Sequence, residues 1–404
     1  MIIDTDRVRV GRTVSAALLV AALTVAPVAA GVASGTPSSM SAVTSAADVT
    51  VEEITNLPDV MVRGAKSAHR ITYPSVAGDG SAAMTKANVY VPNTTRDDGS
   101  YRVLAYTHGT VGVGENCDIG LKFGTGGRYD DWLGPWLEAG YVLVVPEYAG
   151  IGDPSGHAYT QGETAAKNTI DAVTAARTVF GQLSGASSGR LAPGFVTDGG
   201  SQGGHTSVWA NKVVDTYGAE TLVGSSAFAL PADIGGYFGA LTPGIPAVPQ
   251  TTSQLVMYVA FLLEGTRHSS DPDARALSDS PVFTDLARSL ADESKDLCFR
   301  EMVERAEGIA PGDLVTRPLM GTSAMDTLRR YSALPTSGFT APILVQQGGL
   351  DVVAPAAQVY PWAESAKTSG ASVDVRLYPD QDHGLSAAVE TNALAWAESL
   401  AWPE

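Results

Sequence analysis

Residues 197–205 read TDGGSQGGH, a single hydroxyl at Ser201 held among four glycines. Glycine inside an element costs ~0.5–1 kcal/mol relative to alanine, so a cluster of them needs a reason. Gly199, Ser201 and Gly203 form G-x-S-x-G, placed after the strand-like run LAPGFVTDGG and before QGGHTSVWANKVVDTYG, which has helical period. A serine at such a junction sits in a turn too tight for side chains beside it, and its hydroxyl stands clear of the strand end. That hydroxyl is a poor nucleophile at neutral pH until a base takes its proton. His383, in DQDHGLS just after the strand-like SVDVRLYP, is the candidate base. His205 lies four residues past the serine, a turn along the next helix, and reads as structural. An imidazole base needs a carboxylate to fix its tautomer and stabilise its cation. Asp351 follows the strand-like APILVQQGG directly and is the candidate acid. Asp380 and Asp382 are nearer in sequence, but a carboxylate on the histidine's own short loop rarely reaches the ring nitrogen facing away from the serine. Charge developing on a substrate oxygen needs donors already in place. The amide of Gln202, directly after the serine, is one; Thr110 in AYTHGTVG (105–112), through its backbone or its hydroxyl, is the other. The chemistry these residues point to is acyl transfer through a covalent serine intermediate.

Side chains so far apart in sequence must be brought together by regular elements. ANVYVP (87–92) alternates, while RVLAYTHG (102–109) and YVLVVPEYAG (141–150) are near-continuous apolar runs, the pattern of strands buried on both faces. Between and after them, YDDWLGPWLEAG and GETAAKNTIDAVTAARTVF have helical period, with Ala166, Ile170, Val173 and Phe180 near one face. Alternating strands and helices predict an α/β fold, a mostly parallel sheet covered by helices on both faces. The rhythm breaks over 237–335, which opens on Pro243, Pro246 and Pro249 and continues with helical stretches and no strand pattern. Its segment SQLVMYVAFLL is apolar all round, but eleven residues suit a buried helix better than a membrane span.

Composition bounds the rest. The 404 residues carry a formal net charge of −17, which disfavours nucleic-acid and anionic-membrane partners. Arg7, Arg9 and Arg12 precede VSAALLVAALTV and then APVAAG, the pattern of a secretory signal peptide ending at Ala30. Residues 31–50 are small and polar and read as a flexible leader. Two cysteines in an exported chain, Cys117 and Cys298, most simply form one disulfide. The six histidines show no metal-ligand spacing, so neither metal nor cofactor is expected.

The order Ser201, Asp351, His383 is the one expected of an α/β-hydrolase arrangement. The strings YTHGT, PEYAGIG, HAYTQGETAAKNTIDAV, GSQGG, LPADIGGYF, QGGLDVVAP and DHG, in this order, resemble the secretory lipase family of the lipase A type. The similarity runs from about residue 55 to the end. It implies an α/β-hydrolase core at 51–236 and 336–404, a helical cap at 237–335, and hydrolysis of carboxylic esters including acylglycerols. It also supports Ser201, Asp351 and His383 in the roles read above. Expected partners are small-molecule or lipid esters and transient contact with lipid interfaces, with no obligate protein partner. Apolar residues around 253–263 are expected to cover the acyl chain. Gly200 departs from the family, where a bulkier residue often stands, and an opened pocket floor is the expected result. A peptidase or acyltransferase could use the same three residues, with a cap carboxylate such as Glu264 as anchor for a peptide terminus; a catalytically inactive binding scaffold is the remaining alternative.

Overall fold

The computed structural model describes residues 41, 43, 45–54, 61–120, 123, 127, 129–186, 189–248 and 251–404. The expected signal peptide and most of the expected leader lie outside them. The leader's last residues do not match a flexible segment. A short 3-10 turn at Ala46–Asp48 leads into β1 (Thr50–Glu53), which pairs with the next strand, and Val43 and Val49 are buried. The apolar side chains at 43 and 49, the pairing of β1 and a hydrogen bond from Ser41 to Asp171 dock this stretch on the core.

Then come β2 (Ala65–Val76), β3 (Ala82–Pro92), β4 (Ser100–Thr107), α1 (Asp130–Glu138), β5 (Tyr141–Pro146), α2 (Gly162–Val179) and the two-residue β6 (Arg190–Leu191). After these, β7 (Phe195–Gly200), α3 (Gln202–Val213) and β8 (Leu222–Phe228) complete the first part of the chain. Among the described residues, six α-helices fill the stretch before the next strand: α4 (Ile234–Gly239), α5 (Ser253–Thr266), α6 (Pro272–Arg275), α7 (Asp285–Glu293), α8 (Phe299–Arg305) and α9 (Ser323–Tyr331). The chain closes with β9 (Ile343–Gly348), α10 (Ala356–Thr368), β10 (Val373–Tyr378) and α11 (Ala388–Glu398).

The strands form a sheet in the order β1-β2-β3-β5-β4-β7-β8-β9-β10, with β6 beside β4. From β5 to β10 all pairs are parallel, and β1 to β3 join antiparallel at one edge. The central strands are apolar without alternation because helices cover both faces. Along β4, Val103 and Ala105 pack with α2 and α3, whereas Leu104 and Tyr106 pack with α1 and α11. Each such fully buried large side chain contributes about 1.5–3 kcal/mol. Gly140, at φ 80°, follows α1 and turns the chain into β5 at an angle an L side chain resists.

The helices α4–α9 enclose a core of their own, with α5 at its centre. Among the described residues no helix is long and apolar enough to cross a membrane. The insertion is tied to the sheet domain by a disulfide between Cys117, in the loop after β4, and Cys298, at the start of α8.

One polar feature lies within the apolar layer. Asp198 on β7 and Glu390 on α11 are fully buried and electrostatically coupled, and the Trp136 indole donates to Glu390 Oε2 at 3.0 Å. Burial raises the pKa of both carboxyl groups, and the pair's own repulsion raises that of Glu390 further. The folded pair therefore keeps a proton that the unfolded chain gives up above about pH 4. Stability from this pair is present at low pH and is lost as pH rises through the raised values.

Glu390→Gln removes one ionisable partner. Its urea midpoint, relative to wild type, should become more favourable between about pH 4.5 and pH 8; a difference independent of pH would contradict proton sharing. Cys117→Ser with Cys298→Ser should cost about 2–5 kcal/mol of stability, read as an earlier urea transition by circular dichroism and by the fluorescence of tyrosines in the insertion core, such as Tyr258 and Tyr331.

Candidate active site

Ser201 stands between β7 and α3 with φ 56° and ψ −120°, a conformation that L residues rarely adopt. The surrounding chain enforces it. A Cβ on Gly199 would lie 2.2 Å from the Thr107 carbonyl oxygen, and one on Gly203 only 1.9 Å from the same oxygen. The amide of Ser201 donates to the carbonyl of Phe228 at 2.9 Å, and the carbonyl of Ser201 accepts from the amide of His205 at 3.0 Å. The glycines thus let β4 and the first turn of α3 close on each other, leaving the serine no other direction.

Gly200 does not open the floor as its size suggested. A Cβ there would come within 2.1 Å of the Phe228 ring, which fills the space and packs on Trp132 at 5.3 Å between centroids.

His383 and Asp351 reach this serine from the ends of β10 and β9. His383 Nε2 lies 3.1 Å from Ser201 Oγ, and His383 Nδ1 lies 2.8 Å from Asp351 Oδ2. The Asp351 side chain is fully buried. Its Oδ1 accepts from the amides of Val353 at 2.9 Å and Ala354 at 2.7 Å, and its Oδ2 also accepts from Gln347 Nε2 at 3.1 Å. Together with His383, these groups give the carboxyl four hydrogen-bond partners, which hold it in place. It takes the Nδ1 proton of His383 as its hydrogen bond, which leaves the Nε2 lone pair facing the serine hydroxyl. Asp382 instead accepts from the amide of Gly384 at 2.9 Å on its own turn.

Of the two expected oxyanion donors, Gln202 directly follows the serine and lines the same cavity. Gln202 is the first residue of α3, so its amide has no partner within the helix. Thr110 is buried, and its hydroxyl lies 2.8 Å from the Tyr159 hydroxyl. His205 points away from the serine, with Nε2 3.3 Å from the carbonyl of Ser332; burial lowers its pKa to about 4, so it is neutral at neutral pH.

A cavity opens beside Ser201. Ile234, Tyr237, Phe238, Tyr258 and Val353 give it an apolar side. Of the segment 253–263, expected to cover an acyl chain, Tyr258 reaches this wall. Val256, Met257 and Phe261 turn instead into the insertion's own core, because an all-round apolar helix buries every face. Glu264, the carboxylate that a peptide terminus would need, is buried and bonded to Arg267 at 2.7 Å and His268 at 3.1 Å. Among the described residues no group of three or more His, Cys, Asp or Glu is placed to hold a metal.

Sequence reasoning missed Gln347, which bridges Asp351 Oδ2 and the carbonyl of Ala354, at 2.6 Å. It also missed His157 and Tyr159, which hold the side chains of Gln202 and Thr110. Each lies within a motif string, yet no spacing rule marks it.

Comparison with known proteins bears on the family and the fold. A model of the family described as "Secretory lipase" matches residues 130–399. No curated protein matches the chain in sequence. Among solved structures, the ligand-bound form of the rice cell wall degrading esterase LipA from Xanthomonas oryzae is similar at TM-score 0.67 and 19% identity, over 87% of this chain and 97% of that one. Candida antarctica lipase A is similar at TM-score 0.60 and 15% identity, over 82% of this chain and 80% of that one. These likenesses show the α/β-hydrolase fold, and with two thirds of its length matched by the family model the chain belongs to the secretory lipase family, a carboxylic ester hydrolase.

Proposed function

We propose that the protein is a secreted serine hydrolase that cleaves carboxylic esters, acylglycerols among them, through an acyl-enzyme on Ser201. The observation that carries the reading is the continuous contact from Ser201 Oγ to His383 and on to Asp351. His383 Nε2 takes the serine proton as Oγ attacks the ester carbonyl carbon. The resulting oxyanion is held by the amides of Gln202 and Thr110, the Thr110 hydroxyl being engaged with Tyr159. As the intermediate collapses, His383 returns the proton to the leaving alcohol. Water, deprotonated by the same imidazole, then attacks the acyl-enzyme and releases the acid. The expected signal peptide and the Cys117–Cys298 bridge support secretion into an oxidising compartment.

The acyl chain would lie along Ile234, Tyr237, Phe238 and Tyr258, under the helical insertion acting as a cap. Phe238 also borders a second, wholly apolar cavity with Leu241, Val259, Leu262, Leu263 and Phe283. Its ring therefore separates the space next to the nucleophile from a deeper one.

Ser201→Ala should lower kcat on p-nitrophenyl butyrate by about 10⁴-fold or more, and a fluorophosphonate probe should label the wild type at Ser201 alone. Full activity of the variant, or no labelling, would refute the mechanism. Phe238→Ala should join the two cavities and raise kcat/KM on p-nitrophenyl palmitate relative to acetate; an unchanged ratio would mean that the acyl chain runs elsewhere.

A further inference from the structure

Two buried polar atoms on residues of the cavity wall have no hydrogen-bond partner among the described residues: Thr160 Oγ1 and Gln202 Oε1. Thr160 is 7% exposed and Gln202 5%. Buried polar groups are nearly always satisfied, so two orphans flanking one nucleophile require an explanation.

The carboxamide of Gln202 is oriented by its other end. His157 Nδ1 donates to the carbonyl of Ala149 at 3.1 Å, and burial lowers the His157 pKa to about 3, so the ring is neutral. Its Nε2 then has only a lone pair to offer and accepts from Gln202 Nε2 at 2.9 Å. The amide nitrogen is thereby committed to His157, and Oε1 is the acceptor left over.

Thr160 is held under strain. Its φ is 68°, a left-handed angle that is exceptional for a β-branched residue. Among the described residues, the non-glycine positions with positive φ are Thr160, Ser201 and Ala229. The first two line the cavity, and the third stands two residues before Pro231, which also lines it. Backbone strain is concentrated around this one space.

A carbonyl that accepts and a hydroxyl that donates together complement a ligand hydroxyl, which does both. We infer that Thr160 Oγ1 and Gln202 Oε1 form a hydroxyl-binding subsite beside Ser201, so that the favoured substrates are esters of polyols that keep a free hydroxyl next to the scissile bond. The inference rests on the serine-hydrolase reading and names its alcohol side. A site built to bond a hydroxyl discriminates strongly against the analogue without it, because its own groups are then left unpaired.

The test compares glycerol monobutyrate with propyl butyrate, which share the acyl group and differ in free hydroxyls. Both are followed by acid release for the wild type, Thr160→Val and Thr160→Ser. The wild type should favour the glycerol ester in kcat/KM by about tenfold or more. Thr160→Val keeps the branched shape and loses the hydroxyl, and its ratio should fall to within about twofold of unity; Thr160→Ser should retain most of the preference. A wild-type ratio near one overturns the subsite and, needing no variant, decides the matter even where a variant fails to fold. Equal losses on both esters in Thr160→Val also overturn it, assigning the hydroxyl to the shared acyl side or to folding. If fluorophosphonate labels Ser201 while the two esters turn over equally, only the subsite fails. Absence of both labelling and turnover removes the hydrolase reading as well.

Discussion

The carbonyl oxygen of Thr107 is the point on which the site is built. Gly199 and Gly203 both press against it, closer than any side chain allows, so the end of β4 and the first turn of α3 share one volume. That closeness forces Ser201 into its left-handed backbone and brings the end of β4 up to the turn that carries the serine. The Thr107 hydroxyl reinforces the contact, lying 3.0 Å from the carbonyl of Asp198 and 2.9 Å from that of Gly203. A strained residue persists only where its surroundings over-determine it. Here the determinants are backbone atoms of two neighbouring parallel strands and one helix.

Rigidity on the opposite side of the imidazole comes from hydrogen bonds rather than from crowding. Asp351 is locked by two amides and by Gln347, which is buried and bonded in turn to the carbonyl of Ala354. An imidazole between a fixed carboxylate and a fixed hydroxyl has no reorientation to undergo when charge moves. The segment 157–160 serves a parallel purpose, with His157 holding the side chain of Gln202 and Tyr159 the hydroxyl of Thr110.

Much of this was legible before any coordinates. G-x-S-x-G between a strand run and a helix run located Ser201. Apolar runs ending in turn residues located β4, β5, β7 and β9, because strands covered on both faces carry no alternation to confuse the reading. Asp351 and His383 followed from standing directly after strand-like runs. What stayed hidden depends on three-dimensional packing. The space beside Gly200 belongs to Phe228, twenty-eight residues away, and no local pattern reveals that ring. The pairing of β1 with β2 rests on a few apolar side chains in a stretch otherwise too polar to signal order. Gln347 and His157 act through atoms of distant residues, and the proton between Asp198 and Glu390 needs two burials to be known at once.

The bridge between Cys117 and Cys298 sets a mechanical condition on the helical insertion. Gly112, two residues past Thr110, packs directly on the sulfur of Cys117, so the covalent link runs close against the loop after β4. The edge of the insertion at α8 is thus pinned to the sheet domain. The chain itself ties the insertion to the sheet domain before α4 and after α9, so the bridge at α8 adds a third covalent tether to those two and narrows the ways in which the helices can shift as a body.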